Sequence, residues 1–306
     1  MSAYVVRRLL QMVLVLWGVS FIAFVVIFVT GDPASAMVGE NWTREQVQEF
    51  RHAMGFDQPW YVQYWNFISK AAHGDLGFSL RQNQPNLTLV FDRMPATLEL
   101  ALASMLISIV VAIPAGVISA MKPNSWLDNA AMLGAMLGQS MPVFWLGIML
   151  ILIFSVNLGW TPVAGRGGLD HLILPAITLS AYPTASNARI MRSSMLEVLR
   201  RTYITTARAK GLKELTVLTR HAMRNALIPI VTLIGLEFGS LLGGAVITET
   251  IFAWPGVGRL SIQAINGRDI PLVQACVIVL ASFFVLINLA VDLIYTVLDP
   301  RIRLGQ

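Results

Sequence analysis

The stretch TTARAKGLKE, residues 205–214, is polar and basic inside a chain that is otherwise apolar. It contains Arg208, Lys210 and Lys213, whereas only 13% of the 306 residues are charged and 56% are hydrophobic. Soluble domains average just under half apolar residues and about a quarter charged residues. The composition therefore indicates an integral membrane protein, and this basic stretch is expected to lie outside the lipid.

Five segments are long and apolar enough to cross a bilayer as helices, because about 20 helical residues span a hydrocarbon core of roughly 30 Å. They are residues 9–30, 97–121, 129–156, 229–250 and 274–298. A sixth segment, 172–191, is weaker, since it contains Pro175, Pro183 and Asn187. Such a helix is tolerated in a membrane only where neighbouring helices or water satisfy its backbone, so we expect it inside the helix bundle.

The distribution of positive charge favours the sixth crossing. Without it, residues 189–228, with nine Lys or Arg against two acids, would lie on the side opposite Arg7 and Arg8. Positively charged loops resist translocation. The sequence therefore predicts an all-α, polytopic membrane protein with six transmembrane helices and both termini in the cytoplasm. In this arrangement 14 of the 22 basic residues lie inside, and the net charge of +5 reflects orientation and not nucleic-acid binding.

The segment between the first two spans, residues 31–96, is expected on the outer side. Thr43 as N-cap, Gln46 three residues later and Gly55 as C-terminal stop predict one short helix. The aromatic residues at 60–67 are suited to the headgroup level of a membrane. We interpret them as part of a surface lid, with a ligand contact as the alternative. The first apolar run is longer than the roughly 7–15 residues of a signal-peptide core, so a retained anchor is favoured over a cleaved signal.

Ionisable residues are rare within the predicted spans. Glu237 either faces a pore or is a buried hydrogen-bonding group, and Asp292 is interpreted as structural. A charge in mid-membrane costs about 2.5–3.5 kcal/mol on insertion scales, so each side chain should face protein or water. The chain contains no P-loop motif, and Cys276 is its only cysteine. We therefore expect no catalytic residue, no metal site and no cofactor bound by this chain.

The loop from Arg189 to Ile228 is predicted to be helical almost throughout, with Gly211 as a break and Pro229 at the start of the next span. A segment this ordered is more than a linker. A short helix with small residues at its turn can enter a groove of another protein, where Arg208 and Lys210 would meet acids. A basic helix lying on anionic lipid headgroups is the alternative.

The run YITTARAKGL at 203–212, followed by RNALIP at 224–229, resembles the conserved cytoplasmic "EAA" loop of permease subunits of binding-protein-dependent ABC importers. The form is that of the dipeptide, oligopeptide and nickel branch. Further motifs of this branch occur in order along nearly the whole chain. They are YVVRRLL at 4–10, GDP at 31–33, GFDQP at 55–59, GDLGFS at 74–79, RMPATL at 93–98, LP at 174–175, ETIFAWPGVGR at 249–259, RDIP at 268–271 and DPR at 299–301.

The resemblance implies the type I ABC importer permease fold. It also implies that the EAA loop forms a coupling helix that enters a groove of a separate ATPase subunit. The docking residues carried over to this chain are Thr206, Ala207, Arg208, Ala209, Lys210 and Gly211. Thr206 replaces the acidic residue that gives the motif its name, so no salt bridge is expected from that position.

The resemblance further implies the composition of a complex. Two permeases, commonly different ones, would join two ATPases that hold ATP and Mg²⁺, together with an external solute-binding protein. The permeases would lie in the bacterial inner membrane. We expect residues 1–96 to form an anchor helix with a periplasmic segment, and residues 97–306 a five-helix permease core whose coupling loop spans about 189–228. Candidate residues of the pathway or its gate are Glu237, Glu249, Arg259 and Asp269.

The resemblance leaves several solutes open. Di- and oligopeptides are favoured, with glutathione, nickel chelates and sugar derivatives as alternatives. From the residues alone, a secondary transporter or channel without ATP, or a membrane-embedded enzyme, are the rival classes. Co-purification of an ATPase, or uptake that stops on ATP depletion but not on collapse of the proton gradient, separates the first rival from an ABC importer.

Overall fold

A computed structural model describes residues 2–29, 34–35, 42–79 and 81–298. The protein is mostly helical, with one short pair of antiparallel strands. The predicted motifs at 31–33 and 299–301 lie outside the described residues. The elements are α1 Ser2–Val29, α2 Arg44–Met54, α3 Trp60–Ala72, β1 Phe78–Ser79, β2 Gln84–Pro85, α4 Asn86–Met121, α5 Trp126–Ser140, α6 Val143–Leu150, a π-helix Ile151–Asn157, α7 Leu169–Leu199, α8 Thr202–Ala209, α9 Glu214–Thr216, a second π-helix Val217–Ala222, α10 Met223–Ile251, α11 Val257–Asn266 and α12 Ile270–Leu298.

Within the described residues, four helices are long and apolar enough to cross a membrane: Arg7–Val26, Asn86–Met121, Glu214–Ile251 and Ile270–Val291. They correspond to four of the predicted spans. The predicted span at 129–156 is long and apolar enough to cross a membrane only when two helices joined by a sharp bend are counted together. It is divided between α5 and α6, which meet at an angle of 108°. Pro142 lies at the break, and proline ends or kinks a helix because it lacks the backbone N–H.

The sixth predicted span, 172–191, lies within the single 31-residue helix α7. This helix is not among those apolar enough to be assigned as a span by length and composition, so the count of six stays a prediction. Pro175 and Pro183 are accommodated inside α7. Side-chain hydroxyls bond nearby carbonyls, with Thr178 donating to Leu174 O at 2.8 Å. Neighbouring helices pack around much of α7, as expected for a proline-containing helix in a membrane.

The chain divides into two compact units. One combines the chain up to Thr97 with Pro255–Ala290, and the other combines Leu98–Trp254 with the end of α12 from Val291. The second unit is centred on α7, which contributes twelve buried residues. Glycines allow its neighbours to approach closely: a Cβ atom at Gly116 of α4 would lie 2.6 Å from Met191 Cβ, and one at Gly138 of α5 would lie 3.2 Å from Ala181 O.

The helix that carries Pro229 begins earlier than expected. Pro229 was predicted to start a span, but it lies inside α10, which begins at Met223 and continues the π-helix Val217–Ala222 without a break. Pro229 removes one backbone hydrogen bond inside this continuous stretch, and packing of the apolar surface that follows holds the helix together.

The first unit contains the predicted short helix, α2. Thr43 and Gln46 form the expected capping box, and Gly55 ends the helix in the left-handed conformation with φ 72°. In α3, Tyr64 packs edge-on against Phe21 of α1 at 5.4 Å between ring centroids. Its hydroxyl lies 3.0 Å from Ser20 Oγ. Phe67 of α3 also stacks with Phe24 of α1, at 6.3 Å between ring centroids. The α2–α3 segment (residues 42–72) is therefore joined to α1 through aromatic side chains.

Candidate functional site

The stretch quoted above forms a helical hairpin, which we name the basic hairpin (residues 201–222). It consists of α8, a turn at 210–213, α9 and the π-helix Val217–Ala222. Gly211 has φ 75°, in the left-handed region, and its N–H donates to Arg208 O at 2.9 Å. The predicted helix break at Gly211 is thus confirmed, and its cause is the backbone conformation that glycine adopts without strain.

One face of the basic hairpin is fully buried. Ile204 and Val217 are 0% exposed. They belong to a cluster that also contains Met191 and Met195 of α7 and Ile230 of α10. Burying an aliphatic side chain of this size contributes about 1.5–3 kcal/mol. The base of the hairpin is therefore part of the same core as the two long helices that flank it.

The six predicted docking residues are contiguous but do not share one environment. Ala207 is 8% exposed and belongs to the core cluster. Thr206, Arg208, Ala209, Lys210 and Gly211 are exposed. The Thr206 hydroxyl donates to Thr202 O at 3.0 Å. The tip of the hairpin is thus an exposed surface of small and basic residues on a buried base.

Arg208 is paired within the hairpin. Its guanidinium donates to both carboxylate oxygens of Glu214, at 2.6 and 3.1 Å. The hydrogen bonds to Glu214 raise the pKa of Arg208 above its usual range. From the sequence, Arg208 was expected to meet acidic residues of a partner protein. In the structure its pairing with Glu214 joins α8 to α9 across the Gly211 turn. Lys210 remains exposed on the same tip.

A buried ion pair lies in the helices next to the basic hairpin. Arg192 of α7 donates to both oxygens of Asp128, at 2.6 and 2.7 Å. Asp128, in the first turn of α5, is 1% exposed, and it also accepts bonds from Ser119 Oγ at 2.7 Å and Asn124 N at 2.8 Å. The end of α4, the start of α5 and the C-terminal part of α7 are therefore joined at one carboxylate. Sequence reasoning missed this site, although an acid and an arginine at the ends of two predicted spans were a signal for it.

Glu237 is both hydrogen-bonded and partly accessible. It is the middle residue of α10, is half-buried, and its Oε2 accepts a bond from Asn187 Nδ2 at 2.6 Å. Asn187 Nδ2 also lies 3.3 Å from Ser108 Oγ. Glu237 was expected either to face a pore or to be a buried hydrogen-bonding group. It is hydrogen-bonded and also partly accessible, at a point where α4, α7 and α10 each contribute a polar side chain.

The other three gate candidates lie in other parts of the chain. Glu249 is fully buried near the end of α10, and Trp254 N donates to its backbone carbonyl at 2.8 Å. Arg259, in α11, is half-buried. Asp269 is buried before α12, accepts a bond from the Ser79 hydroxyl, and its Oδ1 lies 3.4 Å from Leu272 N. Asp269 thus stabilises the start of α12, and its assignment to a gate stays a prediction.

Family models match both parts of the chain. The model of the binding-protein-dependent transport system inner membrane component matches residues 112–304, and the model of the N-terminal part of such membrane components matches residues 1–101. The chain belongs to this family. The resemblance drawn from the EAA loop and the accompanying motifs is confirmed.

Relatives of known function match over nearly the full length. The chain is 42% identical to the dipeptide transport system permease protein of Alkalihalophilus pseudofirmus, covering 99% of this chain and 100% of the relative. It is 42% identical to the di/tripeptide permease of Pseudomonas aeruginosa, covering 99% of each. It is 41% identical to the glutathione permease of Escherichia coli K12, again covering 99% of each. The chain is therefore a permease subunit of an ABC transporter, a multi-pass membrane protein and not an enzyme.

Solved structures show the same fold. The inward-facing methionine ABC transporter MetNI matches with a TM-score of 0.59 and 19% identity, covering 69% of this chain and 96% of that one. An amino acid ABC transporter solved with histidines matches with a TM-score of 0.53 and 16% identity, covering 70% and 94%. The type I importer permease fold is thus confirmed for the larger part of the chain.

Proposed function

We propose that this chain forms the membrane pathway by which di- or oligopeptides enter the cell after delivery by an external solute-binding protein. Two relatives at 42% identity are named for dipeptides or tripeptides, and one at 41% is named for glutathione, which is itself a tripeptide. Small peptides are the chemistry that all three share. Nickel chelates and sugar derivatives have no support among these three relatives.

The proposed assembly contains this chain, a second permease of the same family, two ATPases and the solute-binding protein. ATP and Mg²⁺ bind the ATPases, and this chain holds no cofactor. The inner membrane and cytoplasmic termini are supported by the positive charge of residues 189–228. Residues 1–96 serve as an anchor helix with a periplasmic segment, and 97–306 as the permease core with its coupling loop.

The observation that carries the coupling role is the exposed tip and buried base of the basic hairpin. A protein that receives force from a partner needs a surface that the partner can hold and a rigid path from that surface inward. The tip, at 208–211, is exposed, whereas Ile204 packs with Met191 of α7 and Ile230 of α10. A displacement of the tip is therefore passed to both long helices, because a close-packed core transmits strain.

The transport cycle then follows from differential binding. ATP holds the two ATPases together, which draws the two coupling hairpins together and favours the outward-open state. The loaded solute-binding protein favours the same state from outside. Each ligand shifts the equilibrium only to the extent that it binds one state better than the other. Hydrolysis removes the first of these preferences and returns the pathway to the inward-open state.

The experiment is peptide uptake and ATPase co-purification with variants of the tip. Gly211→Asp, or Arg208→Glu with Lys210→Glu, should abolish uptake and ATPase binding while the protein stays in the membrane. Ala209→Trp adds bulk at the tip without backbone strain or a change of charge, and should have the same effect. Arg220→Glu with Arg224→Glu reverses two exposed charges of the same loop outside the tip and is the matched control.

Two results contradict the proposal. If both charge-reversed pairs impair uptake equally and ATPase binding is normal in all variants, the basic loop acts on lipid headgroups and not on an ATPase. If uptake by intact cells survives ATP depletion but stops when the proton gradient is collapsed, the chain does not work as an ABC importer.

A further inference from the structure

The intramembrane carboxylate of Glu237 forms no ion pair with a cationic side chain in the part of the chain that the structure describes. Within the described residues, no salt bridge involves Glu237. The Asn187 amide nitrogen donates to the carboxylate at 2.6 Å, and the Ser186 side chain lies beside the same carboxylate. A charged group in the middle of a membrane helix must face protein or water, and such residues mark substrate and ion pathways.

Asn187 has an unused acceptor at the same place. The side chain is 1% exposed, and its Nδ2 is directed to Glu237 Oε2 and Ser108 Oγ. Its Oδ1 is buried and has no hydrogen-bond partner in the described chain. The amide orientation is set by the carboxylate, because the reverse orientation would place two oxygen atoms against each other. A buried acceptor without a donor is destabilising and rare in native structures.

The Glu237 carboxylate and the Asn187 oxygen are suited to a cation that carries several hydrogen-bond donors. The Glu237 carboxylate and the unpaired Asn187 oxygen are linked through the Asn187 amide, whose nitrogen donates to the carboxylate. A protonated primary amine carries one positive charge and three N–H donors, so it can satisfy more than one acceptor. A metal ion would need a larger set of ligands, and among the described residues no group of three or more His, Cys, Asp or Glu could hold one.

We infer that Glu237 and Asn187 form a transient binding subsite for the protonated amino group of the transported solute. The inference rests on the proposed function, since a peptide with a free N-terminus supplies this ammonium group. Conduction requires a site that attracts the solute and also lets it leave. A single half-buried carboxylate with one amide oxygen meets that requirement better than a closed cage of ligands.

A purely structural role for Glu237 predicts a different response to mutation. The bond from Asn187 joins α7 to α10, and a neutral glutamine at position 237 keeps an oxygen that can accept it. If structure alone required this residue, Glu237→Gln would be tolerated. If the amine subsite exists, the negative charge is required and Glu237→Asp should be the milder change.

The first test is uptake of the dipeptide Ala-Ala by the complete complex in proteoliposomes, with binding protein outside and ATP inside. The only amino group of Ala-Ala is the α-ammonium, so a lysine side chain cannot substitute for it. Glu237→Gln should lower the initial uptake rate at least tenfold, and Glu237→Asp should retain more uptake than Glu237→Gln. Leu236→Gln introduces the same side chain one residue earlier, at an exposed position, and should lower uptake much less.

The second test restores the charge chemically. The chain has one cysteine, Cys276, which is buried, so Glu237→Cys introduces a second thiol of different exposure. Methanethiosulfonate reagents react with thiols that water reaches, and the sulfonate-bearing reagent adds a negative charge where the trimethylammonium-bearing reagent adds a positive one. Uptake by Glu237→Cys should rise severalfold with the negative reagent and not with the positive one, with the wild-type complex as control for Cys276 and the other subunits.

The outcomes separate the inference from the proposed function. Wild-type uptake of Ala-Ala with equal uptake by Glu237→Gln overturns the inference alone. So does a Glu237→Cys thiol that neither reagent modifies, or one whose modification by both reagents has the same effect on uptake. A wild-type complex that imports neither Ala-Ala nor glutathione contradicts the proposed function, and the inference with it.

Discussion

The basic hairpin and the α2–α3 segment both contain short helices, yet different interactions hold them in place. In the hairpin, Ile204 and Val217 are fully buried. In the α2–α3 segment neither helix contains a buried residue. That segment relies instead on a capping box, an exposed pair of His52 with Asp57, and ring contacts. The difference shows that burial fixes the hairpin to its unit, whereas local hydrogen bonds shape the α2–α3 segment.

The largest effect should come from the buried ion pair beside the hairpin. Asp128→Asn should lower the free energy of unfolding by about 4 kcal/mol, because removing one partner of a buried pair costs roughly 3–5 kcal/mol. Denaturant titration of the purified protein in detergent measures it. Asp57→Asn, at the exposed pair of the α2–α3 segment, is the matched control and should have a far smaller effect. Equal losses of unfolding free energy for the two variants would show that the exposed pair stabilises the protein as much as the buried pair does.

The hairpin core gives the next largest effect. Ile204→Ala should lower the free energy of unfolding by about 3 kcal/mol, since truncation of a buried isoleucine to alanine costs roughly 2–5 kcal/mol. Trp65, in α3, is 69% exposed, and Trp65→Ala should change the free energy of unfolding by less than about 0.5 kcal/mol. The same denaturant titration compares them. A smaller loss for Ile204→Ala than for Trp65→Ala would mean that the hairpin is not anchored by burial.

The same change, glycine to alanine, should affect both regions alike. Gly211 and Gly55 each have a positive φ, 75° and 72°, and a Cβ atom would meet no neighbour closer than 3.6 Å at either position. Alanine at each should therefore cost about 1–2 kcal/mol from backbone strain alone. Hydrogen exchange of α8 and of α2 measures the local opening free energy. A much larger cost at Gly211 would show that the turn carries contacts beyond its backbone conformation.

A smaller effect is expected at the capping box of the α2–α3 segment. Thr43→Ala removes the bond that Thr43 accepts from Gln46 N, at 3.3 Å, and should lower the local stability of α2 by about 1 kcal/mol. Arg201, the N-cap of α8, makes no side-chain cap bond, so Arg201→Ala should leave the start of α8 nearly unchanged. Hydrogen exchange of both helices checks the pair. The reverse ranking would show that capping also governs the hairpin.

The smallest effect should be a pH dependence confined to the α2–α3 segment. The hydrogen bond with His52 lowers the pKa of Asp57 below its usual range. A carboxyl whose pKa is lowered in the folded state contributes stability above its unfolded pKa and loses it as the pH falls through the folded value. Exchange protection of α2 should therefore fall at acid pH in the wild type relative to Asp57→Asn. Parallel pH profiles for the two proteins would exclude this contribution.

Local features of this fold could be predicted from the sequence, and contacts between distant helices could not. Four of the apolar runs, the Thr43 capping box and the Gly211 break each depend on neighbouring residues and were confirmed. Which face of α8 is buried depends on α7 and α10, so the burial of Ala207 could not be foreseen. The pairing of Arg192 with Asp128 joins residues 64 positions apart. Finding it requires knowing which helices are neighbours.

The candidate site divides in the same way. The residue types at Thr206, Arg208 and Gly211 indicated the family through their motif, and the family models confirm it. Their role in docking stays a prediction. Glu237 could be singled out because a charge is rare in an apolar span. Its partner Asn187 lay in a span whose proline and serine content made it ambiguous. The unpaired oxygen of Asn187 follows from three-dimensional packing, and no sequence pattern indicates it.

The π-helix Val217–Ala222 sets the direction in which the hairpin points. A π-helical turn contains about one residue more than an α-helical turn, so side chains before it are rotated by roughly 100° relative to an uninterrupted α-helix. Deleting one residue there would keep every docking side chain and still turn the tip away from its present direction. For the docking on an ATPase that we propose, the number of residues between the tip and the membrane helix therefore matters as much as the chemistry of the tip.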